Sequence, residues 1–246
     1  AGKNGKGKLP HAIRTATTVL GATELILYFR DSDGKANTTR LYLASDGTKR
    51  GLQVKRDRII ISPPGVFLTT RARFLHEDAE RFSKLEATNR ATSVLTTLQL
   101  LEMRLQKLAL LIAGGETIIH GDLGTGRLIP LPLMGEGMSR LLSIVLAIAN
   151  TSKGVVLIDE IENGLHYSVL KKVWQAIAKS AQESDTQIFA TTHSWECIKA
   201  AHEAFDEMSV YDFALHRLDR VGDEIQAVVY DQEILRASLI TDLEVR

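Results

Sequence analysis

The sequence predicts an α/β fold built on a mostly parallel sheet, and three features carry that expectation. Gly154 is followed by Val155-Val-Leu-Ile158, four apolar residues of which three are β-branched, and the run ends in two adjacent carboxylates, Asp159 and Glu160. A run apolar at every position reads as a strand buried on both faces. Gln187-Ile-Phe-Ala190 is a second short apolar run, ending in Thr-Thr-His193-Ser194. Between them, Val169, Val173, Trp174 and Ile177 fall on one helical face. Strand, helix, strand is a parallel crossover unit, and both strand ends then face one crevice, where open α/β sheets place their chemistry.

The other elements follow in chain order. Gly2-Lys-Asn4-Gly5-Lys-Gly7-Lys8 fits the first part of a phosphate-binding loop, whose glycines let backbone amides approach an anion and whose lysine reaches the outer phosphates. Leu9 stands where a Ser or Thr is needed, no strand precedes the loop, and Pro10 opens a weakly amphipathic stretch. Composition alone reads these residues as a flexible Gly/Lys tail; the order of the later motifs reads them as the loop. Its faults are those expected of an incomplete N-terminal part joined across a gap near Lys8–Leu9, the alternative being a degenerate loop.

Residues 24–29, 40–44 and 58–62 read as strands of an antiparallel layer, punctuated by the turn residues Asp31-Ser-Asp-Gly34 and Ser45-Asp-Gly47. Residues 66–70 are a further strand, and Arg71 and Arg73 after it read as a solvated basic face. Residues 93–112 read as one helix, because Val94, Leu98, Leu101, Leu105 and Leu108 form a single apolar stripe. Residues 117–120 and 127–131 form a hairpin around Gly121-Asp-Leu-Gly-Thr-Gly126. Met134-Gly135-Glu-Gly137 then feeds a helix through residues 141–149. Its glycine turn presents free amides and a positive dipole end to an anion. A helix over residues 195–204 and a hairpin of residues 211–218 and 226–230 around Gly222-Asp223 complete the chain.

Composition excludes more than it selects. With 30 basic and 30 acidic residues the formal net charge is zero, so DNA is left open as a partner but is not indicated by charge. No apolar run approaches the ~20 residues needed to cross a bilayer. No secretory pattern opens the chain. Cys197 is the sole cysteine and forms no internal disulfide, so a cytoplasmic protein is expected.

The motifs carry a resemblance. Val155 to Glu160 resembles the Walker B strand of ABC-type ATPases, and His193 resembles their switch histidine. Leu133-Met-Gly135-Glu-Gly137 with Arg140 is similar in outline to their signature motif, with Met134 where the family has serine. Ile158-Asp-Glu-Ile-Glu-Asn-Gly-Leu-His166 is closest to the SMC/RecF/OLD-type ATPases of DNA repair and phage defence. His166 stands where the family's D-loop aspartate is usual. Neither Gln99 nor Gln106 makes a good Q-loop, because both fall inside the expected helix.

The resemblance implies an ABC-ATPase-like P-loop NTPase fold: a mostly parallel sheet, an N-terminal antiparallel β layer and a helical lobe. One domain spans residues 1–246, with the partial P-loop and β layer at 1–70, the helical lobe at 71–115 and the signature, Walker B and H-loop core at 116–246. It implies that Gly2, Asn4, Gly5, Gly7 and Lys8 bind ATP, with Gly135 and Gly137 closing over it from a second copy. It implies that Asp159 holds Mg2+, Glu160 activates the attacking water and His193 contacts the γ-phosphate. The partners implied are a second copy, joined through ATP into a homodimer, and a separate effector subunit. The alternative is a nucleotide-binding switch or scaffold subunit of a defence complex that does not hydrolyse ATP.

Overall fold

The computed structural model describes residues 24–30, 35–45, 50–56, 63–70 and 75–240. The chain divides into two units, Ala1–Ser62 and Pro63–Arg246.

The first unit holds an antiparallel sheet in the order β1 (Glu24–Arg30), β2 (Ala36–Ser45), β3 (Arg50–Arg56). Glu24 lies opposite Tyr42 and Arg30 opposite Ala36; Ser45 lies opposite Arg50 and Thr39 opposite Arg56. The antiparallel layer is as expected, and it includes a strand, Arg50–Arg56, that the sequence did not suggest. Residues 50–56 alternate Gly51, Gln53 and Lys55 with Leu52 and Val54. That period of two was masked by flanking arginines and a glycine, which are poor strand formers in isolation. Residues 58–62, like the candidate phosphate loop from Gly2 to Lys8, lie outside the described residues.

The second unit runs β4 (Gly65–Leu68), α1 (Leu75–Ala87), α2 (Ala91–Leu98), β5 (Lys107–Ala113), β6 (Glu116–Asp122), β7 (Leu128–Pro130), α3 (Glu136–Asn150) and β8 (Val155–Ile158). It continues with α4 (Leu170–Ser184), β9 (Gln187–Ala190), α5 (Trp195–Asp206), β10 (Leu215–Val221), β11 (Glu224–Tyr230) and α6 (Gln232–Ile240). Its central sheet is parallel, in the order β4-β8-β9, with Gly65, Val155 and Gln187 in one row and Leu68, Ile158 and Ala190 in the last. Val156 and Ile158 are buried with the helices. Phe67, Leu157 and Phe189 form the third of the four rows, on the opposite face, and are exposed. Both faces of β8 are apolar, but only one is buried among the described residues, where the sequence suggested cover on both. Gly154 is needed where β8 begins: a Cβ there would collide with the Pro64 carbonyl, which accepts the Val155 N–H at 2.9 Å.

Helix α3 is the centre of the core. Every residue from Met138 to Ala149 is buried, so α3 is enclosed on all sides, packed by α1, α2 and α4 and touching β8. Its buried serines each find a partner, Ser139 at the Gly135 carbonyl and Ser143 across to α1. The Ser143 hydroxyl donates to Asp78 on α1, and Arg81 lies 3.3 Å from the same carboxyl; burial nevertheless pushes the Asp78 carboxyl above its ordinary range.

One expected helix is two different elements. Residues 93–112 begin within α2, which ends at Leu98, and finish in β5. The Gln99 side chain donates to the Leu105 carbonyl at 2.7 Å and closes the intervening turn. β5 pairs with β6 antiparallel across Gly114-Gly115, at φ 63° and 86°, the two-glycine turn that strand twist favours. Leu105 and Leu108 are buried as expected, but in a turn and a strand. Long-range pairing won over a leucine spacing that suits either structure. Gln99 and Gln106 consequently lie outside any helix, Gln99 capping α2 and Gln106 preceding β5. The hairpin of β6 and β7 and the helix α5 fall where the sequence placed them; the last hairpin keeps its turn at Gly222-Asp223, but its first strand begins at Leu215 rather than Tyr211. Helix α6 was not expected; its Leu235 is buried against Ile198 of α5.

Candidate active site

The C-terminal ends of β8 and β9 are adjacent, and each delivers its polar residues to the same edge. The Asp159 N–H donates to the Leu68 carbonyl at 2.9 Å, which extends the pairing with β4 by one step. The Thr191 N–H donates to the Ile158 carbonyl at 2.9 Å, and the Ile161 N–H to the Thr191 carbonyl at 3.0 Å. Between these two backbone bonds the β8 chain turns sharply. Glu160 occupies the left-handed region at φ 44°, an uncommon conformation for a residue with a side chain and one that concentrates at functional turns.

The Thr191 hydroxyl bridges the two acidic residues. It donates to Asp159 Oδ1 at 3.0 Å and accepts the Glu160 N–H at 2.9 Å. The Glu160 carboxylate makes no hydrogen bond with the described residues and is partly open. His193 is exposed, and its backbone N–H donates to Glu162 Oε1 at 2.9 Å. The cap of α5 belongs to Ser194, whose hydroxyl accepts the Cys197 N–H at 3.1 Å. The His193 ring is therefore not needed to start that helix.

Beneath this edge lies a buried cation. Arg140, 3% exposed on α3, donates to the Asp159 carbonyl at 2.9 Å and the Thr69 carbonyl at 3.4 Å. It thus holds the ends of β4 and β8 from below. Its own helix opens at Gly135, at φ 114° and ψ 153°, a region closed in practice to side chains. Helix geometry leaves the amides of the first turn of α3 pointing outward. Gly137 lies against the loop after β8, where a Cβ would meet Leu165 at 3.4 Å. Gly164 of that loop, at φ 77°, is pressed against the Glu136 side chain. The glycine turn and the loop 161–166 are thus in contact within one chain. His166 serves locally: it caps the turn at Tyr167–Val169, its Nδ1 lying 2.8 Å from the Ser168 hydroxyl.

The donor set suits a hard divalent cation. Asp159 Oδ1 is held by Thr191, and Oδ2 makes no hydrogen bond with the described residues. Mg2+ is ordinarily held by one or two carboxylates together with substrate phosphates, so one well-placed aspartate fits it. The sequence singles out Asp159, Glu160, His193, Gly135 and Gly137 but gives no task to Thr191 or Glu162. Both stand inside the motifs, and only their side-chain partners reveal them.

The parallel sheet with its acidic strand end and the central helix α3 are those of the P-loop NTPase fold, and the chain fits the SMC/RecF/OLD-like group of ABC-type ATPases. The chain belongs to the family described as "AAA domain, putative AbiEii toxin, Type IV TA system", whose model matches residues 52–197. It is 35% identical over 89 residues to an ATP/GTP phosphatase of Helicobacter pylori, a match covering 35% of this chain and 23% of that protein. It is 40% identical over 65 residues to a protein of Methanocaldococcus jannaschii, covering 26% of this chain and 57% of that one. The matches thus span less than two thirds of either relative. Among solved structures it is similar to an SMC head bound to the C-terminal winged-helix domain of ScpA: TM-score 0.53 at 14% identity, over 88% of this chain and 76% of that one. None of the described helices is long and apolar enough to cross a membrane.

Proposed function

We propose that this chain binds ATP with Mg2+ and hydrolyses it, and that ATP joins two copies head to tail. The observation that carries the reading is the pair Asp159-Glu160, held at the end of a buried parallel strand beside the loop that bears His193. Asp159 holds the cation through its unoccupied oxygen. When bound, Mg2+ neutralises charge on the phosphates and orients them for in-line attack. Glu160, with its carboxylate unengaged, orients the attacking water and takes its proton. His193 reads the terminal phosphate. Gly135 and Gly137 offer helix α3's N-terminal amides to the phosphate of the other copy. The phosphate-loop role of Gly2, Asn4, Gly5, Gly7 and Lys8 rests on sequence pattern alone.

The family match supports an ATPase, and the fold shared with an SMC head supports a head-type arrangement. DNA repair or phage defence, a separate effector subunit and a cytoplasmic location are parts of the same proposal, supported by the kinship of the motif. The second reading, a switch that binds without turnover, is favoured by Met134 and Leu9. One assay separates them. Purified protein should release phosphate from ATP only with Mg2+, and Asp159→Asn should weaken Mg2+-dependent binding. Mg2+-dependent binding with no phosphate release favours the switch, and absence of both removes the proposal.

A further inference from the structure

All the hydrogen-bonding groups of one residue are spent on the acidic strand end. The Thr191 N–H goes to Ile158, its carbonyl to Ile161, and its hydroxyl to both Asp159 and Glu160. Any residue at this position makes the two backbone bonds. The two hydroxyl bonds require Ser or Thr, and they are the ones that touch the groups assigned to chemistry. Glu160 leaves the strand in a left-handed conformation, so its N–H turns away from the sheet ladder, and the hydroxyl supplies the acceptor that pairing would otherwise give. The same hydroxyl then has one proton left, and it is directed at Asp159 Oδ1. Thr191 is itself exposed, so burial of an orphaned hydroxyl does not explain the arrangement.

We propose that Thr191 is a positioning residue for the reaction: its hydroxyl fixes the Asp159 carboxylate and the Glu160 turn together. The proposal rests on the reading of Asp159 and Glu160 given above. It assigns to Thr191 no contact with nucleotide. Its effect runs through its neighbours: Asp159 presents one oxygen to the cation because the other is tied down, and Glu160 aims its carboxylate because its backbone is pinned. Groups one step removed from a reacting centre act in this way, by fixing the orientation of those that touch it.

The test compares the parent protein with Thr191→Val, which keeps the branched shape and loses the hydroxyl, and Thr191→Ser, which restores it. Steady-state ATP hydrolysis is measured as a function of ATP and of Mg2+, with the exchange rate of the Glu160 amide in the nucleotide-free protein and the melting temperature. Thr191→Val should lower kcat by about 10–100-fold and raise the Mg2+ concentration for half-maximal rate, the usual consequence of losing an orienting partner. KM for ATP should stay within about threefold, because no ground-state contact is lost. The Glu160 amide should exchange faster, and the melting temperature should move by less than about 3 °C, as expected for an exposed side chain. Thr191→Ser should recover most of each quantity. A valine variant with parent kcat overturns the proposal and leaves the roles of Asp159 and Glu160 standing. So does an equal loss in both variants accompanied by a fall in melting temperature, which marks a packing role. A parent without Mg2+-dependent hydrolysis, indistinguishable from Glu160→Gln, overturns the underlying reading and this proposal with it.

Discussion

Glu162 and His193 are joined across the gap between the loops that follow β8 and β9: Glu162 Oε1 accepts the His193 backbone N–H at 2.9 Å. The other carboxylate oxygen of Glu162 is buried and makes no hydrogen bond with the described residues. The bond itself is exposed, so it contributes little stability and acts as a strut that sets one loop against the other. It ties the loop 161–166, which also touches the turn before α3, to the loop that bears the histidine.

Removing that strut should affect catalysis more than binding. Glu162→Ala is expected to lower kcat about tenfold with ADP affinity nearly unchanged, in line with other orienting partners. Glu162→Gln keeps an oxygen acceptor and should stay close to the parent. Steady-state kinetics with ADP titration check this; equal rates for the alanine variant and the parent would show the strut to be idle.

His193→Ala separates phosphate sensing from helix capping. Ser194 already caps α5, so the variant should melt within about 3 °C of the parent. A charge-assisted bond to the terminal phosphate contributes roughly 1.5–3 kcal/mol, so the affinity ratio of a slowly hydrolysed ATP analogue to ADP should fall by about tenfold or more. A lower melting temperature with an unchanged ratio would remove His193 from the site.

Arg140 holds the ends of β4 and β8 by their carbonyls from within the core. Arg140→Met keeps the apolar stem and deletes the guanidinium, leaving the two strand-end carbonyls without that donor. The expected loss is about 2–4 kcal/mol in urea unfolding. Unfolding within about 0.5 kcal/mol of the parent, the range of a neutral surface change, would contradict this.

His202 supplies the pH dependence. It is 6% exposed, its Nδ1 lies 2.9 Å from the Tyr211 hydroxyl, and burial lowers its pKa from the ordinary value, with Asp206 opposing. Burial likewise pushes the Tyr211 hydroxyl up to about 12, so it stays a donor. A lowered pKa in the folded state means stability that is present above the unfolded value of about 6.5 and lost as pH falls through the folded one. Between pH 7.5 and pH 5 the parent should therefore lose more unfolding free energy than His202→Gln. Parallel losses would contradict this.

Much of the site was legible because burial writes a plain pattern. A short run apolar at every position, Val155 to Ile158, reads as a strand of a parallel sheet, and the carboxylates that end it cannot be mistaken for core. The chain was less legible where one spacing suits two structures. Leu98, Leu101, Leu105 and Leu108 satisfy a helical stripe, yet the Gly114-Gly115 turn makes the last of them part of a hairpin. The strand at Arg50–Arg56 was hidden by its polar residues and Gly51. Thr191 and Glu162 were invisible as actors for another reason: their bonds join residues about thirty positions apart, and no local period encodes a side chain's partner.

The central claim is that Glu160 is the base for ATP hydrolysis. Glu160→Gln preserves shape and the backbone bond to Thr191 but cannot take a proton. The account predicts Mg2+-dependent ATP binding like the parent's and turnover reduced by ~10²–10⁴-fold, with an ATP-bound dimer accumulating on size-exclusion chromatography. Turnover within about threefold of the parent, far short of what loss of a positioned base costs, would contradict it.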